Sequence, residues 1–162
     1  MLNESMFLFP CPGCGSALHI EMSGLEHMAP ATVSCRLCRI PVSVPRFGNR
    51  VLISAGDLFQ VFRAVDRQSG QVIALKSISR SGLRDWVIQK REDRASSRPR
   101  PPDGALDATV EEETCSVETR IRDMASALHS LPATPYLIRL VDFCEDGREF
   151  NFVKDNLDTH FF

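Results

Sequence analysis

Two pairs of cysteines open the chain, Cys11-Pro-Gly-Cys14 and Cys35-Arg-Leu-Cys38, with 20 residues between them. A two-residue gap lets a tight turn aim both sulfurs, and its backbone amides, at one metal ion. Two such turns supply the four thiolates of a tetrahedral zinc site, so Cys11, Cys14, Cys35 and Cys38 are the expected ligands. Gly13 and Gly15 suit the first turn because they accept backbone angles that a Cβ opposes. Two disulfides are the competing reading, but they need an oxidising compartment. A redox dithiol needs only one pair. His19 and His27 are further donors, yet four cysteines already close the site. Cys115 and Cys144 stand alone and are read as ordinary helix and strand residues.

The elements around the cysteines fit that chemistry. Leu18, Ile20 and Val33 suit short strands carrying the two turns. The segment resembles a zinc ribbon, with a domain expected over residues 1–48. The metal's first role there is folding, because about 30 residues cannot bury a sufficient core. Ribbons bind nucleic acid in some proteins and protein in others. Arg36, Arg39, Arg46 and Arg50 fall in or just after the second pair and can touch phosphate. Solvated charge is the competing reading, and nucleic acid is not favoured.

Past residue 50 the pattern changes to apolar alternation, with Val51-Leu-Ile53, then Phe59, Val61 and Phe62, then Val72-Ile-Ala-Leu75. Ser69-Gly70 between the last two runs predicts a β-hairpin. Residues 80–109 are mostly polar apart from Trp86-Val-Ile88. Arg94–Gly104, rich in Pro, Ser and Arg, predicts a mobile loop inside a disordered insertion over about 80–109. Val117, Ile121, Met124, Leu128 and Leu131 recur at steps of three and four, which predicts a helix over 110–131 ended by Pro132. Strands are expected over Tyr136–Phe143 and Phe150–Val153, around a turn at Glu145-Asp-Gly147. The expected fold class is α+β: a small four-cysteine ribbon plus an antiparallel sheet with one long helix.

Bulk properties narrow the function classes. The chain has 162 residues, 43% of them hydrophobic and 25% charged, which is ordinary globular composition. Nineteen Lys and Arg against 21 Asp and Glu leave a net charge of -2, which argues against a chain-wide basic surface for nucleic acid. No apolar run approaches the ~20 residues of a membrane span. Met1–Pro10 carries Glu4 and no Lys or Arg, unlike a signal or transit peptide. A reducing intracellular compartment, cytoplasm or nucleus, is the expected location.

Ile73-Ala-Leu-Lys76 resembles the third strand of a protein kinase N-lobe, where valine-alanine-isoleucine-lysine is typical. Arg63-Ala-Val-Asp-Arg-Gln-Ser-Gly70 resembles the preceding strand and turn. Leu131–Asp142 is similar to the segment between helix C and strand four, and Phe150–Leu157 to strand five and the start of the hinge. The resemblance implies an N-lobe over 49–162. It implies Gly56, Val61, Ala74 and Lys76 as nucleotide contacts, with Asp123 or Glu118 as the carboxylate partner of Lys76. Against ATP stand Ser54 and Phe59 at two of the three glycine positions of the phosphate loop, where only Gly56 is kept, and Asp57 beside it. No His-Arg-Asp or Asp-Phe-Gly tripeptide occurs, so no catalytic residue is assigned and the expectation leans away from an enzyme. The favoured function is a non-catalytic subunit of a larger assembly, a pseudokinase-like fragment whose lower face is covered by a protein partner. The N-terminal part of a Ser/Thr kinase, a nucleotide-binding pseudokinase and a nucleic-acid-binding ribbon are the alternatives.

Overall fold

A computed structural model describes residues 6–21, 32–97, 108–132 and 140–154. Expectations for His27, residues 98–106, Tyr136–Arg139 and the segment after Lys154 lie outside the described residues. The chain is a mixed α+β fold with nine strands and two helices among the described residues.

Two short hairpins come first. Strand β1 (Met6–Pro10) pairs antiparallel with β2 (Ala17–Glu21), and β3 (Thr32–Ser34) pairs antiparallel with β4 (Pro41–Ser43). Each hairpin carries one cysteine pair at its tip. Strands β5 (Phe47–Ala55), β6 (Gln60–Asp66), β7 (Val72–Ser79), β8 (Leu140–Glu145) and β9 (Glu149–Lys154) form a five-stranded sheet in the order β5-β6-β7-β9-β8. The turn between β6 and β7 needs Gly70, whose φ of 69° lies in the left-handed region.

Helix α1 (Arg80–Ser97) follows β7 directly, and α2 (Val110–Ser130) leads back to β8. Helix α1 corrects the expectation of disorder from residue 80 onward. Leu83 and Val87 are buried and Trp86 packs on the same core, an i, i+3, i+4 set within an otherwise polar stretch. The Ser79 hydroxyl accepts from the Gly82 amide at 2.8 Å and covers one free donor of the first turn. Helix α2 begins with a capping box. Thr109 Oγ1 accepts from the Glu112 amide at 3.2 Å, and Glu112 Oε2 accepts from the Thr109 amide at 2.7 Å. The buried residues of α2 are Ile121 and Ala125, with Val117 and Leu128 beside them. Met124 and Leu131, expected on that stripe, are 44% and 49% exposed, so the buried face runs through Ala125 instead.

Two compact units can be described separately. One takes residues up to Ile53 with Phe62–Ala74. Its core is Phe7, Phe9, Cys11, Leu18, Cys35, Val42 and Val44. The Asn49 carboxamide ties β1 to the start of β5: its Oδ1 accepts from the Leu8 amide at 2.7 Å, and its Nδ2 donates to the Met6 carbonyl at 3.0 Å. Asn49 holds a φ of 51° to do so. At Gly48 the Phe7 ring fills the space a Cβ would need. Arg46 forms a bidentate pair with buried Asp66, at 3.0 and 2.9 Å.

The other unit takes Ser54–Val61 and the chain from Leu75 onward. Ile78, Leu83, Ile121, Ala125, Leu140, Phe150 and Phe152 are its core. The Ser77 hydroxyl donates to Asn151 Oδ1 at 2.6 Å inside it, joining β7 to β9.

Candidate metal centre

The two cysteine turns are built alike. In the first, the Cys11 amide donates to the Ser16 carbonyl at 2.7 Å and the Gly15 amide donates to the Cys11 carbonyl at 2.8 Å. In the second, the Cys35 amide donates to the Ile40 carbonyl and the Arg39 amide to the Cys35 carbonyl, both at 3.0 Å. The fourth residue after each leading cysteine adopts a positive φ, 73° at Gly15 and 63° at Arg39. Gly15 does so without a Cβ, whereas Arg39 bears the cost of that region. Gly13 is needed for room rather than for its angles, because the Ile40 side chain occupies the place of a Cβ.

These turns bring the four predicted sulfurs together. Their Sγ atoms all lie within 4.8 Å of one another, with Cys11 and Cys38 at 3.6 Å and Cys14 and Cys35 also at 3.6 Å. A disulfide needs about 2.05 Å, and Cys11, Cys14, Cys35 and Cys38 are not joined in disulfides. Four sulfurs at about 2.3 Å around a tetrahedral ion stand about 3.8 Å apart, close to the spacing found here. The set fits a metal ion, since these residues offer four soft donors, two of which, Cys11 and Cys35, are buried.

Electrostatics separate the four thiols. The Ser16 hydroxyl, together with the Cys38 amide, lowers the Cys35 pKa to about 5. The same hydroxyl and the Ser16 amide lower Cys14. At Cys38 the Ile40 amide favours the thiolate, yet burial and the three neighbouring sulfurs outweigh it and push the pKa up to about 12. Four thiolates cannot share this volume without a cation, and a bound divalent ion reverses the balance by displacing the remaining protons. His19 lies on β2, exposed and outside the sulfur cluster. Cys115 sits on α2 and Cys144 in β8.

The residues proposed for nucleotide are placed differently. Gly56 follows β5, and its amide donates to the Phe59 carbonyl at 2.8 Å. Val61 lies in β6, and Ala74 and Lys76 lie in β7. Lys76 Nζ sits 3.9 Å from the centroid of the Phe59 ring. Burial, and secondarily the charge of Lys154, depress the Lys76 pKa. The expected carboxylate partner is engaged elsewhere. Glu118 Oε1 accepts from Arg80 at 2.8 Å, and its Oε2 accepts from Arg122 at 3.4 Å. Asp123 is exposed on α2, and among the described residues Lys76 has no ion pair within 4.0 Å. The guanidinium of Arg80 wins because it reaches from the end of β7 with several donors at once. It also donates to the Asp146 carbonyl at 2.7 Å and lies 4.2 Å over the Phe150 ring.

Sequence reasoning missed Ser16, Asn49 and Arg80. Only Ser16 carried a local signal, a hydroxyl two residues after Cys14. Of the four arginines near the second turn, Arg36 and Arg39 are exposed, Arg46 is paired with Asp66, and Arg50 lies 5.6 Å over the Phe62 ring. No helix among the described residues is long and apolar enough to cross a membrane.

No protein-family model matches the chain, and no curated protein matches it either. Among solved structures it is similar to the crystal structure of Rad53 1-466 in complex with AMP-PNP, with 18% identity and a TM-score of 0.40. The match covers 70% of this chain and 22% of that one, so the chain spans about a fifth of the length of that structure.

Proposed function

We propose that this chain is a non-catalytic interaction subunit in which a zinc-stapled ribbon, residues 1–48, adjoins a kinase-like N-lobe, residues 49–162, that does not use nucleotide. The observation that carries the reading is the lysine. A phosphate-binding lysine needs a free ammonium held by a carboxylate. Lys76 instead lies against the Phe59 ring, and Glu118 is committed to Arg80 and Arg122. Zinc is the favoured ion because a four-thiolate tetrahedral set suits it and no open coordination position is left for catalysis.

A protein partner is favoured over nucleic acid. Val51, Leu52 and Ile53 lie on β5, an edge of the five-stranded sheet among the described residues, and are 60%, 52% and 38% exposed, an accessible apolar run. Arg46 and Arg50, by contrast, are already occupied within the protein. The test is titration of the purified chain with Mg-ATP, read by calorimetry and thermal shift, with a phosphotransfer assay on a generic Ser/Thr peptide. No binding and no transfer are expected. Micromolar binding that disappears in Lys76→Ala would replace this reading with a nucleotide-binding pseudokinase or the N-terminal part of a kinase.

A further inference from the structure

We propose that the Ser16 hydroxyl is a positioning group for the metal-binding sulfurs, its one O–H donating a hydrogen bond shared between the thiolates of Cys14 and Cys35. The inference rests on the metal-centre reading above and adds a residue to it. Ser16 Oγ lies 3.1 Å from Cys14 Sγ and 3.4 Å from Cys35 Sγ. These two sulfurs belong to different turns, so one hydroxyl bridges the two hairpins at the metal. Its own backbone is fixed, because the Ser16 carbonyl accepts from the Cys11 amide.

The second turn shows what this position does without a hydroxyl. Ile40 stands where Ser16 stands in the first, five residues after the leading cysteine, and its carbonyl makes the same bond to Cys35. Its side chain also crosses to the opposite turn, where it covers Gly13. The pair of turns is thus closed by one polar and one apolar crossing contact. The polar one meets the sulfurs themselves. Four thiolates around a divalent ion leave two negative charges, and a hydroxyl donor draws off part of that charge. It also holds the two sulfurs at a fixed separation before the ion arrives, which reduces the ordering cost of binding.

The experiment compares the full wild-type chain with Ser16→Ala and Ser16→Thr. Zinc affinity is measured by competition with a chromophoric chelator, and cobalt(II) reports on the sulfurs through its charge-transfer absorption. Ser16→Ala is expected to bind one ion about ten-fold more weakly. Its sulfur-to-cobalt band should move to lower energy, because sulfur loses a hydrogen-bond donor. Ser16→Thr keeps the hydroxyl and should restore both readouts. Ser16→Ala with unchanged affinity and an unmoved cobalt band would overturn the role of Ser16 while leaving the metal centre in place. Ser16→Thr as weak as Ser16→Ala would also overturn it, since packing and not the hydroxyl would then matter. A wild-type chain that binds neither ion would instead overturn the metal reading on which the inference rests.

Discussion

The ammonium of Lys76 rests 3.9 Å from the centroid of the Phe59 ring, with no carboxylate among the described residues in salt-bridge range. The ring's negative face replaces the carboxylate as the feature that holds the charge. Burial and Lys154 work against the ammonium at the same position. Lys76→Met should therefore change stability by less than about 1 kcal/mol in either direction. Phe59→Ala should cost more, about 2 kcal/mol, since it removes packing against the core as well. Urea denaturation of both variants checks the order. A Lys76→Met loss larger than that of Phe59→Ala would mean that an unseen partner holds the lysine.

Metal binding should depend on pH in a definite direction. Cys38, raised to about 12, holds its proton at neutral pH in the metal-free chain and must release it on binding. Affinity should thus rise with pH, on the order of ten-fold per pH unit for each proton displaced. Cys35, lowered to about 5, contributes no proton near neutrality. Calorimetry in buffers of different ionisation enthalpy counts the protons. Affinity that stays constant from pH 6 to 8 contradicts the expected protonation of Cys38.

Cys35→Ser should abolish binding of the single ion, checked by elemental analysis of the purified protein. Amide exchange should accelerate at Cys11, Gly15 and Arg39, whose bonds close the two turns. Retained slow exchange at these amides in the metal-free variant would show that the turns need no ion.

Arg39→Gly should stabilise the metal-bound chain by about 0.5–1 kcal/mol, the balance between relief of a left-handed non-glycine residue and the added freedom of the unfolded chain. The matching change at Asn49 should destabilise instead, because its carboxamide holds two strand groups. Thermal unfolding of both variants gives the two signs. The same sign in both would contradict the separate roles.

Arg80→Ala should cost about 2 kcal/mol, since its guanidinium serves Glu118, the Asp146 carbonyl and the Phe150 ring together. A double-mutant cycle with Glu118→Gln isolates the ion pair. Coupling below about 0.3 kcal/mol would assign the effect to the ring and the carbonyl.

What the sequence revealed were features fixed over a few residues. The cysteine turns follow from a two-residue spacing and the β6–β7 hairpin from alternation around Ser69-Gly70, so both were legible. Helix α1 was obscured because composition outweighed spacing: Leu83, Trp86 and Val87 lie three and four apart, but the arginines and prolines beyond them dominate the stretch. The buried face of α2 was read one step off, since Ala125 is too small to register beside Met124. The Arg80–Glu118 pair joins residues 38 apart in sequence. No local pattern announces which of two cations, Lys76 or Arg80, will reach the carboxylate.

The Asn49 bridge bears on how the ribbon can be handled in isolation. A peptide ended after Gly48 keeps all four cysteines but loses the carboxamide that occupies the Leu8 amide and Met6 carbonyl. Strand β1 would then offer an open edge to any extended chain nearby. Such a peptide should take up its ion and still self-associate, whereas one carried through β5 should not. The smallest well-behaved metal-binding piece of this protein is therefore longer than its metal-binding motif.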